Sequence, residues 1–166
     1  PLFERTCRRE RSQSEVMGKH LGTKGNLILF PEGTSTEGTH VEPFKSSLFH
    51  AAETADDVSI QPITIAYTHY QGRLMEKPLR DYFAWYATMP FASHFFQMAG
   101  MARVTAEVVF HPPVRLSDFD CRKSCADYCQ RQIATGLDQL LGNSGASPAE
   151  KPANLLGSDH NTASRA

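Results

Sequence analysis

Apolar and polar positions fall in blocks along this chain, and each block has its own period. Asn26-Leu27-Ile28-Leu29-Phe30 is an apolar run closed by Gly25 and Pro31, which predicts a buried strand over 26–30. The Gly-, Thr- and Ser-rich stretch 31–42 predicts a loop leaving the strand's C-terminal end. Pro43 stands where a first helical residue belongs. Phe44, Leu48, Ala51, Ala52 and Ala55 then recur at helical spacing as one apolar stripe. A β-branched run over 58–67 predicts a second strand, and Val104 to Phe110 a third, stopped by His111-Pro112-Pro113. Ser117 with Asp120 reads as a capping box. The helix it opens carries Cys121, Cys125, Tyr128, Cys129, Ile133, Leu137, Leu140 and Leu141 on one face, and Gly142 ends it.

Strands alternating with helices predict an α/β fold, a mixed sheet flanked by helices, over residues 1–141. Residues 142–166 are Ser-, Ala-, Pro- and Asn-rich without an aromatic residue and predict a disordered tail. Ligands in such sheets bind beyond the carboxyl ends of strands, so the loop after Phe30 is the first place to look for chemistry.

Composition narrows the class. The chain has 166 residues, 40% hydrophobic and 21% charged, with a formal net charge of −1. That is one ordinary domain, and it excludes a disordered chain, a collagen-like repeat and a small disulfide scaffold. The near-zero charge argues against a dedicated nucleic-acid binder. Four cysteines are too few for a framework and no leader is legible, so a reducing compartment is expected. The opening Pro1-Leu2-Phe3, without an initiator Met, fits a processed chain and a piece of a longer one equally well.

The strongest candidate chemistry lies in Phe30-Pro31-Glu32-Gly33-Thr34-Ser35-Thr36-Glu37-Gly38 and the following Glu42-Pro43-Phe44-Lys45. Glu32 sits at the mouth of the first strand, where the scaffold fixes it. Gly33 permits close approach of a ligand or a second backbone, and Thr34, Ser35 and Thr36 offer hydroxyls. A helix starting at Pro43 would add free N–H groups. Periodicity alone fits a capped strand-to-helix connection just as well.

Phe30-Pro31-Glu32-Gly33-Thr34 followed by Pro43-Phe44-Lys45 resembles the third sequence block of the glycerolipid acyltransferase family, the lysophosphatidic-acid and related lysophospholipid acyltransferases. Phe3-Glu4-Arg5 looks like the second block, and Ile60 to Tyr67, with its internal Pro62, is similar to the fourth. Three blocks in order make the resemblance specific over roughly residues 1–115. It implies acyl transfer from acyl carrier protein or acyl-CoA to a lysolipid hydroxyl, with no covalent acyl-enzyme, no metal and no cofactor. It also implies that Arg5 holds an anionic group, that Glu32, Gly33, Thr34, Ser35 and Lys45 shape the acceptor side, and that Pro62 shapes the cleft wall. The protein would then sit at the cytoplasmic face of the inner membrane, with the lysolipid, the acyl donor and the membrane surface as partners.

The sequence departs from the family at two places. The family's catalytic block, His followed by Asp five positions on, is absent: none of the seven histidines has that partner, and His50 with Asp56 is one residue too long. The resemblance puts that block before the second, hence upstream of Pro1, and implies that this chain alone is inactive. Ser35 stands where the family commonly has Arg, a bidentate reader of phosphate. With Tyr82-Phe83-Ala84-Trp85-Tyr86 and Phe110-His111-Pro112-Pro113-Val114, it resembles the bacterial branch that acylates lyso-ornithine lipid, whose headgroup is an amino acid. The acceptor is left open between the two.

Three other features have two readings each. Arg5, Arg8, Arg9 and Arg11, with Lys19 and Lys24 and against Glu4, Glu10 and Glu15, give residues 1–25 a local charge of +3, and the arginines suit either an anionic lipid surface or a solvated helical face. Residues 82–102 carry no formal charge, yet Thr88, Pro90, Ser93, His94 and Gln97 make a poor membrane span. Their aromatic content suits an interfacial element or a core helix pair broken at Pro90. Cys121, Cys125 and Cys129 continue an apolar stripe and read as packing residues, not as a metal site. A non-catalytic lipid-binding or membrane-interaction module is the rival to the enzyme.

Overall fold

The computed structural model describes residues 16–23, 25–53, 57–84, 91–101 and 103–142. Residues 16–22 form a first helix, α1. A 3-10 turn over Ser46–Phe49 runs into the short α2, His50–Glu53. Then come β1 (Ser59–Ile60), β2 (Ile63–Tyr70), β3 (Arg73–Leu74), α3 (Lys77–Phe83), α4 (Phe91–Ala99), β4 (Val104–Phe110) and β5 (Val114–Arg115). A second 3-10 turn, Leu116–Asp118, leads into the long α5, Arg122–Leu140.

The elements are α and β as expected, but the sheet is not mixed. Among the described residues there are two small antiparallel sheets, β1–β5 and β3–β2–β4. The β2–β3 reversal is a two-residue turn with both central φ angles positive, Gln71 at 52° and Gly72 at 79°, the geometry that matches strand twist. The long strand expected over 58–67 is cut in two. Pro62 lacks an N–H, so the ladder breaks there, and Pro62 O instead accepts a bond from His111 N at 3.0 Å.

The expected strand over 26–30 is corrected by the structure. The segment takes no regular secondary structure and pairs with no strand among the described residues, and Ile28 and Phe30 are 83% and 74% exposed. An all-apolar run needs cover on both faces. Here β2 is already flanked by β3 and β4, so only Leu29 turns inward, against the Phe49–Val114–Cys125 core. The helix expected from Pro43 begins three residues later, as the 3-10 turn at Ser46, so Pro43 presents no helical N-terminus. Phe49 and Ala51 are its buried residues, and Ala55 lies outside the described set.

Helix α5 ends as expected, with Gly142 at φ +74° just past its C-cap Leu141. Its start differs. Cys121, not Ser117, is the N-cap, and its N–H bonds to Ser124 Oγ at 3.3 Å. Asp118 instead accepts from Arg115 N at 2.7 Å. Cys121 therefore sits in extended backbone ahead of the helix and is exposed, so it leaves the packing stripe. Cys125 and Cys129 are buried as packing residues with Phe49, Val114 and Tyr128. A hydrogen bond with the neighbouring Cys125 sulfur, then burial, push the Cys129 thiol far up, which keeps it unreactive.

Strand β2 lies under α5 with its small side chains inward: Thr64, Ala66 and Thr68 are buried, while Ile63 and Ile65 face out beside Phe110 and Val108. Thr64 Oγ1 donates its single proton to Ile133 O at 3.0 Å, so it accepts from His111 Nε2–H at 2.8 Å. Burial lowers the His111 pKa, in keeping with that neutral tautomer. Gly136 lets the helix come this close. A Cβ there would stand 2.7 Å from Thr64 Oγ1 and 2.8 Å from His111 Cε1. Both neighbours are held by the bonds just named, so Gly136→Ala is expected to destabilise the chain. The overpacking cost of about 1–3 kcal/mol outweighs a helix-propensity gain of up to about 1 kcal/mol. Urea denaturation checks this, and a variant as stable as the parent would show the contact to be soft.

Candidate acceptor site

The loop between Phe30 and Lys45 is closed by three backbone-directed bonds. Gly33 N–H donates to Phe30 O at 3.2 Å, with Gly33 at φ +64°, and Lys45 N–H donates to Pro31 O at 2.9 Å. Glu32 Oε2 accepts from Glu42 N–H at 2.8 Å. The Lys45 side chain lies across Gly33, where a Cβ would stand 2.5 Å from Nζ. Gly33 is thus required both by its φ and by the lysine over it. Glu32, Gly33 and Lys45 come together in this loop, and the Glu32 carboxylate clamps it. Thr34 and Ser35 are exposed at its tip.

The loop's second half is a charged relay. Thr36 Oγ1 accepts from Gly38 N–H at 3.3 Å. Glu37 Oε1 accepts from Thr39 Oγ1 at 2.8 Å and faces His40 Nδ1 at 3.3 Å. Backbone and Thr39 hydrogen bonds hold the Glu37 carboxyl below its ordinary range. His40 Nε2 meets Glu42 Oε1 at 3.1 Å, a bond that raises the His40 pKa.

Beside this loop is a cavity of about 340 Å³, bounded by Thr36, Glu37 and Gly38, the middle of β2, and residues of α3 and α4. Phe83, Phe95 and Met98 give it apolar walls, and Arg80 supplies a cation. Tyr67 and Tyr70 pack against Phe83 as tilted rings with centroids 5.8 and 6.2 Å away, fixing α3 to β2. Arg80 is only 7% exposed. Its Nε donates to Tyr67 O at 3.3 Å and its Nη2 to Met75 O at 2.7 Å.

Of the residues expected at the site, Glu32, Gly33, Thr34, Ser35 and Lys45 share the loop but do not line the cavity, which begins one residue on, at Thr36. Pro62 is buried at the β1–β2 break, also off the cavity. Arg5, like Arg8, Arg9 and Arg11, lies outside the described residues. Sequence reasoning missed Arg80. Its signal was a lone arginine three residues before Phe83, at the edge of an uncharged aromatic stretch. Residues 85–90 of that stretch lie outside the described set, and no described helix is long and apolar enough to cross a membrane. The tail residues 143–166 also lie outside it.

Comparison with known proteins agrees with the sequence blocks. A family model described as Acyltransferase matches residues 2–66. A lyso-ornithine lipid O-acyltransferase of Rhodobacter capsulatus is 40% identical over 142 residues, covering 83% of this chain and 50% of that protein. Lyso-ornithine lipid O-acyltransferases of Brucella abortus and Rhizobium meliloti are each 28% identical over 148 residues. They cover 84% and 85% of this chain, and 55% and 51% of their own lengths. No solved structure matches the chain significantly. The chain spans about half the length of the curated relatives it matches. The match to the Acyltransferase family model over residues 2–66 spans the blocks Phe30–Thr34 and Pro43–Lys45.

Proposed function

We propose that this chain is the acceptor-side part of an O-acyltransferase that moves a fatty acyl group from acyl carrier protein or acyl-CoA to the hydroxyl of lyso-ornithine lipid. The observation that carries this reading is the similarity to three relatives that are all lyso-ornithine lipid O-acyltransferases, over more than four-fifths of this chain. Ser35, in place of a phosphate-reading Arg, points the same way.

In this reading the lysolipid hydroxyl attacks the thioester carbonyl and a histidine general base takes its proton. The base comes from a His-x4-Asp block outside these 166 residues, with the Asp orienting the imidazole. The thiolate leaves and is protonated, giving an ester and a free thiol. The loop clamped by Glu32 presents the acceptor, and no metal or cofactor takes part. Exposed Phe95 and Phe96 on α4 support work at a membrane surface, the cytoplasmic face of the inner membrane.

The test is acyl transfer by the full gene product, with acyl carrier protein and acyl-CoA donors, to lyso-ornithine lipid. Turnover is expected. A full gene product that binds the lipid without turnover, and whose reading frame holds no His-x4-Asp, would favour the non-catalytic lipid-binding module.

A further inference from the structure

We infer that the cavity between the Thr36–Gly38 turn, β2, α3 and α4 is the binding site for a zwitterionic amino-acid headgroup, with Arg80 taking its carboxylate and Glu37 its ammonium. This deepens, and rests on, the lyso-ornithine lipid reading.

Arg80 carries the inference. A guanidinium nine-tenths buried is costly unless an anion faces it. Its described partners are two carbonyl oxygens, on Nε and Nη2. Among the described residues Nη1 has no hydrogen-bond partner and the group has no carboxylate. The carbonyl bonds fix the plane of the guanidinium, and Arg80 lines the cavity. A planar fork held in this way is suited to a carboxylate.

Glu37 lines the same cavity from the opposite element. Its side-chain partners, Thr39 Oγ1 and His40 Nδ1, both meet Oε1, and a backbone hydrogen bond adds to the stabilisation of its charged form. Lys77 also lies within electrostatic reach. Glu37 and Arg80 are not ion-paired with each other, so the cavity presents separate positive and negative poles. An ornithine acylated on its α-amine offers one carboxylate and one side-chain ammonium, the complementary pair. Phe83, Phe95 and Met98 then receive the first methylenes of the acyl chain. A phosphate headgroup would meet Arg80 but be repelled by Glu37.

The test is binding by calorimetry to the full gene product, with three probes: N-octanoyl-ornithine, its methyl ester and N-octanoyl-norvaline. The ester lacks the carboxylate and the norvaline compound lacks the amine. The parent protein is expected to bind the zwitterion roughly tenfold or more tightly than either analogue. Arg80→Gln should erase the preference over the ester, and Glu37→Gln the preference over the norvaline compound. Equal binding of all three probes by the parent, or binding of none, overturns the site and needs no variant. Arg80→Gln weakening all three probes alike would reduce Arg80 to holding its carbonyls, and would also overturn it. Failure of the functional reading looks different: the full gene product would not acylate lyso-ornithine lipid, while the probe preferences persisted. If it acylates that lipid equally well with Arg80→Gln, the function stands and this site falls.

Discussion

The 166-residue chain by itself is expected to transfer acyl groups at least about a hundredfold more slowly than the full gene product, because a positioned general base contributes roughly 10²–10⁴-fold. The structure accounts for the described imidazoles with side-chain interactions. His20 Nε2 meets Asn26 O, His40 sits between Glu37 and Glu42, His69 bonds Thr68, and His111 bonds Thr64. His50 is held by its Nδ1 against Glu53, which also pairs with Arg122 at 3.2 Å. That pair lies on α2, and neither residue lines the cavity. The assay is acyl transfer to lyso-ornithine lipid by the chain, the full gene product and a His50→Ala variant of each. Full-rate turnover by the chain would refute a base outside it. If His50→Ala then abolished that turnover, the base would be His50.

How far the sequence could be read depended on whether the determinant was local. Strand β4 and helix α5 were legible because seven residues of Val104–Phe110 and the stripe through Cys125, Cys129 and Leu137 each carry their period within one element. The Glu32–Gly33 turn was legible because Gly33 must take a positive φ beside the Pro31 break. Exposure of 26–30 was not legible, since an apolar run states that cover is needed and says nothing of whether a neighbouring strand is there to give it. The inward face of β2 was hidden for the opposite reason. Thr64 and Thr68 look like outward residues until Ile133 and Glu107 are seen to satisfy their hydroxyls. Arg80 escaped because its meaning is tertiary: only folding shows a buried cation that no carboxylate faces among the described residues.

Ser35→Arg in the full gene product is expected to raise kcat/KM for lysophosphatidic acid by roughly ten- to a hundredfold while leaving lyso-ornithine lipid little changed or worse. A charge-assisted hydrogen bond contributes roughly 1.5–3 kcal/mol, which corresponds to that range. The substitution is sterically free. Ser35 is exposed at the loop tip, and among the described residues its side chain makes no hydrogen bond, so an arginine there displaces nothing. It sits one residue before Thr36, where the cavity lining begins, and can therefore reach a headgroup at the mouth. Lys45 already lies across Gly33 in the same loop, so a phosphate would not arrive in a cation-free site, and the gain should fall toward the lower end. The parent, with Ser35 and the Glu37 carboxylate facing the headgroup, should prefer the zwitterionic acceptor. The measurement is kcat/KM for both acceptors with both proteins. A strong parental preference for lysophosphatidic acid, with no gain on Ser35→Arg, would overturn the assignment of this loop to an amino-acid headgroup.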